Sequence, residues 1–281
     1  MIDVGKFNSL IMLRETTVGI FLGDETGEDV LLPNKYCPEE FIQDEEIEVY
    51  VYRDYEDRKI ATNLIPKILL HEFTLLKVKS VETVGTFLDW GLEKDLMVPF
   101  SEQKQRLEED RWYIVYLDLD QDTDRLFASN KLEKYLFNDP LHVKEGQEVD
   151  ILVMQKTDLG YSVIINNKHK GLLYENEVYK ELNVGDKQTA YIKKIREDNK
   201  IDVSLQQAGY KKSIDKNNEV VLEILDKNDG EMPFNDKSSP EEIKASFGLS
   251  KKAFKKAIGS LYKERKIEIT ENGIKLIESE S

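Results

Sequence analysis

One five-residue pattern recurs three times along the 281-residue chain, and it constrains the fold more than any other feature. Residues 18–22 read Val-Gly-Ile-Phe-Leu, residues 84–88 read Val-Gly-Thr-Phe-Leu and residues 159–163 read Leu-Gly-Tyr-Ser-Val. The copies are 66 and 75 residues apart. A repeat at this spacing predicts three copies of one small domain.

Each copy of the repeat is predicted to form short antiparallel strands. Ile47, Val49 and Val51 alternate with less apolar residues, a polar turn follows at residues 54–57, and residues 59–62 return as a second strand. Period-two runs closed by polar turns are typical of β-hairpins. About five such strands match a small closed barrel of the oligonucleotide-binding (OB) type. Three unrelated hairpin modules or one larger β-sandwich are the alternatives.

The pattern changes after the third copy. Helical periodicity at residues 218–226, 240–247 and 251–266 is followed by an alternating hairpin at residues 267–277. Three helices followed by a hairpin is the order of a winged-helix domain. We therefore predict a mainly β chain in which tandem five-stranded barrels precede an α+β winged helix. The predicted domains are residues 1–66, 67–140, 141–212 and 213–281.

The net charge of −15 argues against a polyanionic ligand until it is divided along the chain. Residues 1–66 carry −9 and residues 67–140 carry −5, whereas residues 141–212 carry +1 and residues 213–281 carry −2. Binding to a polyanion requires local positive potential rather than a positive total. We expect that potential in barrel 3 and the winged helix, and we expect the acidic barrels 1 and 2 to be spacers or protein-docking sites.

The candidate nucleic-acid contacts are cations for phosphates and aromatic rings for base stacking. In the third barrel and in the third C-terminal helix they are Tyr161, Lys168, His169, Lys170, Tyr174, Lys193, Lys194, Arg196, Lys251, Lys252, Lys255 and Lys256. Phe21 and Phe87 are candidates for stacking in barrels 1 and 2. The alternatives are a half-buried barrel position for each ring and a solvated face for the lysines. Trp90 and Trp112 are expected to be packing residues.

The third repeat resembles an S1-type RNA-binding domain. The resemblance rests on Gly160-Tyr161-Ser162-Val163, Gly171-Leu172-Leu173-Tyr174, Val184-Gly185-Asp186 and Asp202-Val203-Ser204-Leu205. The family pattern has an aromatic residue where this chain has Ser162, with Tyr161 beside it, and a histidine where it has Tyr174. The first two repeats resemble the same domain more loosely, because they keep Phe21 and Phe87 but lack the Gly-Leu-hydrophobic-His element.

As a whole the chain resembles the conserved virulence factor B family of bacterial RNA-binding regulators. The resemblance rests on the order of the domains and on motifs such as residues 96–103 and 171–178. It implies a cytoplasmic protein that binds RNA through barrels and winged helix together and affects gene expression after transcription. From the patches of charge we expect single-stranded RNA on one surface shared by barrel 3 and the winged helix.

Other features narrow the function classes. The single cysteine, Cys37, favours a reducing, cytoplasmic compartment, and neither a secretory signal nor a membrane-length apolar run is found. The chain has no phosphate-binding Gly-rich loop, no nucleophile elbow and no metal-ligand spacing, so we expect a non-catalytic monomer without metal or cofactor. Two other functions stay open. One is a protein-interaction scaffold that uses acidic barrels 1 and 2 to bind a basic partner such as a ribosomal protein, and the other is a winged-helix DNA-binding regulator.

Overall fold

The computed structural model describes residues 1–178, 181–207, 210–270 and 272–277, and its description of side chains leaves out residues 210–215. The chain divides into two compact units, residues 1–205 and residues 206–281. The first unit is built from strands, and the second combines helices with short strands. Among the helices that the structure describes, none has the length and the apolar character needed to cross a membrane.

The first barrel closes on itself in the strand order β1-β2-β3-β5-β4. Its strands are β1 (Lys6–Thr16), β2 (Gly19–Gly23), β3 (Asp29–Pro33), β4 (Glu46–Arg53) and β5 (Lys59–Thr62). The parallel pair β3–β5 completes the wall, and the other neighbours are antiparallel. The predicted hairpin at residues 47–62 is therefore confirmed as β4 and β5.

The second five-stranded sheet has the same connectivity but is open. Its strands are β6 (Phe73–Val81), β7 (Gly85–Asp89), β8 (Leu96–Pro99), β9 (Trp112–Asp120) and β10 (Arg125–Ser129). The order is β10-β9-β6-β7-β8, and within residues 73–129, all of which are described, no ladder joins β8 to β10. We keep the name barrel 2 for this sheet.

The third barrel is closed and repeats the order of the first. Its strands are β11 (Glu148–Thr157), β12 (Gly160–Ile165), β13 (His169–Tyr174), β14 (Lys187–Ile195) and β15 (Ile201–Ser204). Every residue of β12 is buried, because one side faces the barrel core and part of the other is covered by barrel 2. Continuous burial along a strand follows when both of its faces are packed.

Shared cores join the three barrels into one unit. Tyr50 and Tyr52 of β4 turn away from their own barrel and meet Trp90 of barrel 2 edge-on, with ring centroids 6.1 and 6.3 Å apart. Between barrels 2 and 3, Phe73 packs in one cluster with Ile164. Full burial of a large apolar side chain stabilises by roughly 1.5–3 kcal/mol, so these contacts hold neighbouring barrels firmly together. The predicted packing role of Trp90 is confirmed.

The second unit has the element order of a winged helix. Its elements are α1 (Tyr210–Lys227), β16 (Glu231–Met232), α2 (Pro240–Phe247), α3 (Lys251–Lys263), β17 (Ile267–Ile269) and β18 (Ile274–Leu276). The apolar faces of the three helices meet the hairpin in one core that includes Val221, Ile243, Phe254 and Ile258. The predicted fold class, tandem five-stranded barrels followed by an α+β winged helix, is confirmed.

Element boundaries in this unit differ from the prediction in three places. Helix α1 begins at Tyr210 rather than at residue 218, and the two-residue strand β16 was not predicted. Helix α3 ends at Lys263 instead of Lys266 because Arg265 adopts a left-handed conformation, with φ 57°. The amide groups of Arg265 and Lys266 then donate to carbonyls of the last helical turn, which ends the helix.

Candidate nucleic-acid interface

One outward-facing position is shared by all three barrels. It is the third residue of β2, β7 and β12, and it is occupied by Phe21, Phe87 and Ser162. In each barrel the strand opposite this residue skips one position, which forms a β-bulge at the same place in β1, β6 and β11. The repeated bulge establishes that the three residues are structurally equivalent.

The stacking role predicted for Tyr161 has to be corrected. Side chains alternate along a strand, so the residue before the shared outward position points inward. Tyr161 is only 5% exposed and packs in the core of barrel 3, as Ile20 and Thr86 do at the equivalent buried positions. Its ring cannot offer a face to a nucleobase. Tyr161 is therefore not part of the outer surface of barrel 3, and Ser162 occupies the outward position.

A groove of about 540 Å³ crosses the outer wall of barrel 3, and we call it the barrel-3 groove. Ligand sites commonly measure roughly 300–1,000 Å³. The charged residues that line it are Lys170, Arg196, Lys200, Asp158 and Asp202. Cations therefore outnumber carboxylates. The Ser162 hydroxyl also lies there, and it has no hydrogen-bond partner among the described residues.

Arg196 is held in one orientation by two neighbours. Its guanidinium donates to both carboxylate oxygens of Asp202, at 2.8 and 3.1 Å, and it also donates to the Tyr174 hydroxyl. The pKa of Arg196 lies above its ordinary value because the Asp202 carboxylate accepts these hydrogen bonds and stabilises the cation. The planar cation near the half-buried Tyr174 ring, 6.0 Å from its centroid, forms a preorganised rim for the groove.

The phosphate-contact role predicted for His169 also has to be corrected. The side chain is 1% exposed and both of its ring nitrogens are engaged. Nδ1 donates to the Phe137 carbonyl and Nε2 accepts from the His142 amide at 3.2 Å. Burial lowers the pKa of His169, which keeps the imidazole neutral and structural.

The remaining predicted cations of barrel 3 are exposed but are not brought together. Lys170 lines the barrel-3 groove and pairs with Glu133 at 2.8 Å, whereas Lys168 and Lys194 lie outside the groove lining. Lys193 is the bulged residue of β14 and pairs at 2.8 Å with the buried Glu177. The groove thus unites Lys170 and Arg196, adds Lys200, and leaves the other three lysines around it.

Helix α3 carries the predicted lysines on its outer side. Lys252, Lys255 and Lys256 are exposed, and Lys255 pairs with Asp236 at 3.6 Å. Lys251 is half-buried at the first turn, where its ammonium donates to the Lys237 carbonyl at 3.5 Å. The sequence reasoning missed Tyr262, which is exposed one heptad after Lys255 and on the same face. A helical projection that included aromatic residues would have found it.

Barrel 2 places Phe87 in a different setting. A cleft of about 530 Å³ between barrels 1 and 2 is lined by Phe87 and Phe127, together with Arg53, Lys94 and Arg125. The two arginines are engaged, because Arg125 pairs with Asp57 and Arg53 pairs with Asp124, at 2.7 and 2.8 Å. Four carboxylates line the same cleft, so its aromatic rings stand in surroundings without excess positive charge.

Barrel 1 covers its aromatic residue. The Arg14 guanidinium lies 4.1 Å from the centroid of the Phe21 ring and is fixed by an ion pair with Asp29 at 2.8 Å. A cation placed over a ring in this way occupies one of the two faces on which a base could stack. One face of the Phe21 ring is thus already occupied by Arg14.

Comparison with known proteins agrees with this architecture. Residues 4–64 match the model of the S1 domain, and residues 219–276 match the model of the CvfB-like winged helix domain. The S1 match falls on barrel 1, where our own motif comparison found the looser resemblance. S1 and winged-helix domains in one chain define a multidomain protein of the nucleic-acid-binding class.

Relatives cover almost the whole chain. It is 31% identical to the uncharacterized protein YitL of Bacillus subtilis strain 168, over 96% of this chain and 92% of that protein. Conserved virulence factor B of Staphylococcus epidermidis ATCC 12228 is 29% identical over 96% and 93%, and that of Staphylococcus aureus USA300 is 26% identical over 96% and 92%. The chain belongs to the conserved virulence factor B family.

A solved structure from Streptococcus pneumoniae, described as a multidomain protein with nucleic acid binding domains, is also similar. It is 24% identical, with a TM-score of 0.41 and coverage of 98% of both chains.

Proposed function

We propose that this protein is a non-catalytic, cytoplasmic, monomeric RNA-binding protein that regulates bacterial gene expression after transcription. It binds single-stranded RNA through the barrel-3 groove and helix α3, without a metal or cofactor. The observation that carries the proposal is the barrel-3 groove itself. Lys170, Arg196 and Lys200 line this groove on the outer wall of an OB-type barrel, together with Ser162, whose buried hydroxyl has no hydrogen-bond partner among the described residues.

The groove offers the contacts that a single strand needs. Lys170 and Lys200, whose ion pairs with Glu133 and Asp198 are solvent-exposed, supply ammonium groups for phosphates. Arg196, fixed by Asp202, supplies a planar cation that can contact a base or a phosphate. Ser162 supplies a hydrogen-bonding group that would otherwise stay unsatisfied. Most of these contacts are made to the RNA backbone or to the face of a base rather than to its edge. We therefore expect RNA binding with weak sequence preference.

The winged helix adds a second contact. Helix α3 presents Lys252, Lys255 and Lys256 with the exposed ring of Tyr262. Two modest sites on one chain bind a long ligand more tightly than either alone, because binding at one raises the effective concentration at the other. We therefore expect long single strands to bind much more tightly than short ones.

Two other functions have observations in their favour. The cleft between barrels 1 and 2 combines aromatic rings with four carboxylates, which favours a basic protein segment as the partner of a scaffold. The lysine-bearing α3 of a winged helix favours a DNA-binding regulator. The scaffold predicts no nucleic-acid ligand, whereas the DNA-binding regulator predicts a preference for double-stranded DNA.

The test is fluorescence anisotropy with the full chain and labelled single-stranded RNA of about 20 nucleotides, which exceeds the roughly 4–16 nucleotides that one OB barrel covers. Double-stranded DNA of the same length is the competitor, and the quadruple variant Lys251/Lys252/Lys255/Lys256→Ala is measured beside the wild type. We expect salt-sensitive RNA binding that the variant weakens and that the duplex displaces poorly. Preference for the duplex would favour the DNA-binding regulator, and no binding at low salt would favour the scaffold.

A further inference from the structure

Trp112 does not pack in a core as the sequence predicts. It is the first residue of β9, paired with Lys77 of β6, and its side chain is 58% exposed. The other tryptophan, Trp90, is 2% exposed. A single exposed apolar residue is common on protein surfaces, so the neighbours of Trp112 decide whether it has a role.

Those neighbours form a second groove, between barrels 2 and 3, which we call the Trp112 groove. It measures about 630 Å³, and its charged lining residues are Lys104, Lys131, Lys134 and Glu133. Glu133 is already engaged by Lys170 at 2.8 Å, and Lys134 pairs with Glu102 at 2.9 Å. Lys104 and Lys131 form no ion pair with any described residue.

The Trp112 groove is therefore a positively charged place in an acidic segment. Residues 67–140 carry a net charge of −5, yet three lysines and one glutamate line this groove. An accessible indole with unpaired ammonium groups beside it is the combination that binds single-stranded nucleic acid, by stacking and by phosphate contact. A basic protein segment would be repelled from the same place.

The Trp112 groove is continuous with the barrel-3 groove. Gln155 of β11 lines both of them and lies directly opposite Ser162. The ion pair between Glu133 and Lys170 spans the same boundary, with one partner in each groove. A strand that leaves the barrel-3 groove past Gln155 thus enters the Trp112 groove beside an acidic side chain, Glu133, that Lys170 already pairs with.

We propose that the Trp112 groove is a second contact site for the same single-stranded RNA. A base stacks on the exposed face of the Trp112 indole, and Lys104 and Lys131 contact the neighbouring phosphates. The site lies outside the equivalent barrel walls on which Phe21, Phe87 and Ser162 stand. This inference rests on the proposed function, because it extends the path of the RNA from barrel 3 onto barrel 2.

The tryptophan content of the chain allows a direct test. With only two tryptophans, one of them buried, RNA-dependent quenching of indole fluorescence reports on Trp112. The full chain is titrated with single-stranded RNA of about 20 nucleotides while anisotropy of the labelled RNA and tryptophan fluorescence are both recorded. The variants are Trp112→Ala, Trp112→Phe and Lys104/Lys131→Ala. The control is Lys6/Lys67→Ala, which removes two exposed lysines that line neither groove.

We expect quenching in the wild type and about tenfold weaker binding by Trp112→Ala, which is the loss of one stacked base. Trp112→Phe should restore most of the affinity but not the quenching, and Lys104/Lys131→Ala should weaken binding more than the control. Normal anisotropy binding without quenching, with Trp112→Ala unchanged, would overturn this inference and leave the proposed function intact. The absence of any RNA binding would overturn both, as would binding of a basic peptide in place of RNA.

Discussion

Barrels 2 and 3 have equivalent outer walls, but the side chains on these two walls differ in chemistry. The strand registers match, so four positions can be compared directly. Where barrel 3 has Ser162, Lys170, Lys194 and Asp202, barrel 2 has Phe87, Asp95, Asp118 and Phe127. Barrel 2 thus pairs aromatic rings with carboxylates, whereas barrel 3 pairs polar groups with cations.

The repeat thus preserves the barrel scaffold but not the side chains that would contact a ligand. The bulge, the glycine two positions before each outward residue and the buried position between them are retained in all three barrels. The outward positions have no core to fill and are free to change. A phosphate backbone suits only the barrel-3 version, because a carboxylate at the position of Lys170 would repel it.

The largest expected effect concerns the retained glycine. A Cβ at Gly160 would lie 2.2 Å from the Leu173 carbonyl oxygen, at a φ of 142°, whereas at Gly85 the nearest contact is the Val98 carbonyl oxygen at 2.8 Å. We expect Gly160→Ala to lower the free energy of unfolding by roughly 3 kcal/mol or more, and Gly85→Ala by clearly less. Urea denaturation of both variants measures this, and equal losses would contradict it.

Exchanging the outward residues of barrels 2 and 3 should change RNA affinity in barrel 3 alone. Ser162→Phe places in barrel 3 the ring that barrel 2 carries, beside Lys170 and Arg196. We expect about tenfold tighter binding of single-stranded RNA, since one stacked base contributes roughly 1–3 kcal/mol. The reciprocal variant, Phe87→Ser, should leave the affinity unchanged. A loss of affinity in Phe87→Ser as large as the gain in Ser162→Phe would show that RNA also uses barrel 2's wall.

Low pH should lower the stability of barrel 3 more than that of the other two barrels. His169 is buried with a lowered pKa, and the corresponding residues are Glu28 in barrel 1 and Lys94 in barrel 2. The unfolded chain binds a proton near the ordinary value of 6.5 more readily than the folded chain does, so stability falls as the pH drops below about 6.5. Urea midpoints at several pH values should show this fall, and His169→Gln should reduce it. His71→Gln, at an exposed site, is the control that should not.

A small change in stability is expected from a substitution in helix α3, outside the barrels. Gly259 lies within α3, and a Cβ there would meet no atom within 4 Å. Gly259→Ala should therefore stabilise the C-terminal unit by roughly 0.5–1 kcal/mol through helix propensity. RNA affinity should not change. Thermal unfolding checks the first expectation, and a decrease in stability would mean that this glycine has a packing role.

The sequence was sufficient to predict the barrels because the patterns that form their strands and turns are local in sequence. The repeated Val-Gly or Leu-Gly element locates a turn and a close approach of two backbones, and the hairpin pattern locates β4 and β5. The same logic could have placed Tyr161 correctly, because Ile20 and Thr86 occupy its position in the other copies. His169 was misjudged since its partners, Phe137 and the His142 amide, lie about 30 residues away.

The grooves could not be predicted, because they depend on contacts between barrels. Lys104, Trp112 and Lys131 come from separate segments of barrel 2, and Gln155 comes from barrel 3. The net charge of residues 67–140 hides such a site, since Glu133 is the one acidic residue of this fully described segment that lines the groove. That the buried Ser162 hydroxyl has no hydrogen-bond partner is likewise evident only when every neighbour has been placed.

The salt dependence of RNA binding tests the central claim most directly. Lys170/Lys200→Asp reverses the charge of two lysines that line the barrel-3 groove, and Lys6/Lys67→Asp makes the same change in net charge outside the grooves. If the barrel-3 groove holds the RNA backbone, the first variant should bind more than tenfold more weakly at about 0.1 M salt. Its slope of log affinity against log salt should also fall by about 0.7 for each lost phosphate contact. An equal loss in the second variant would contradict the claim, because net charge alone would then explain binding.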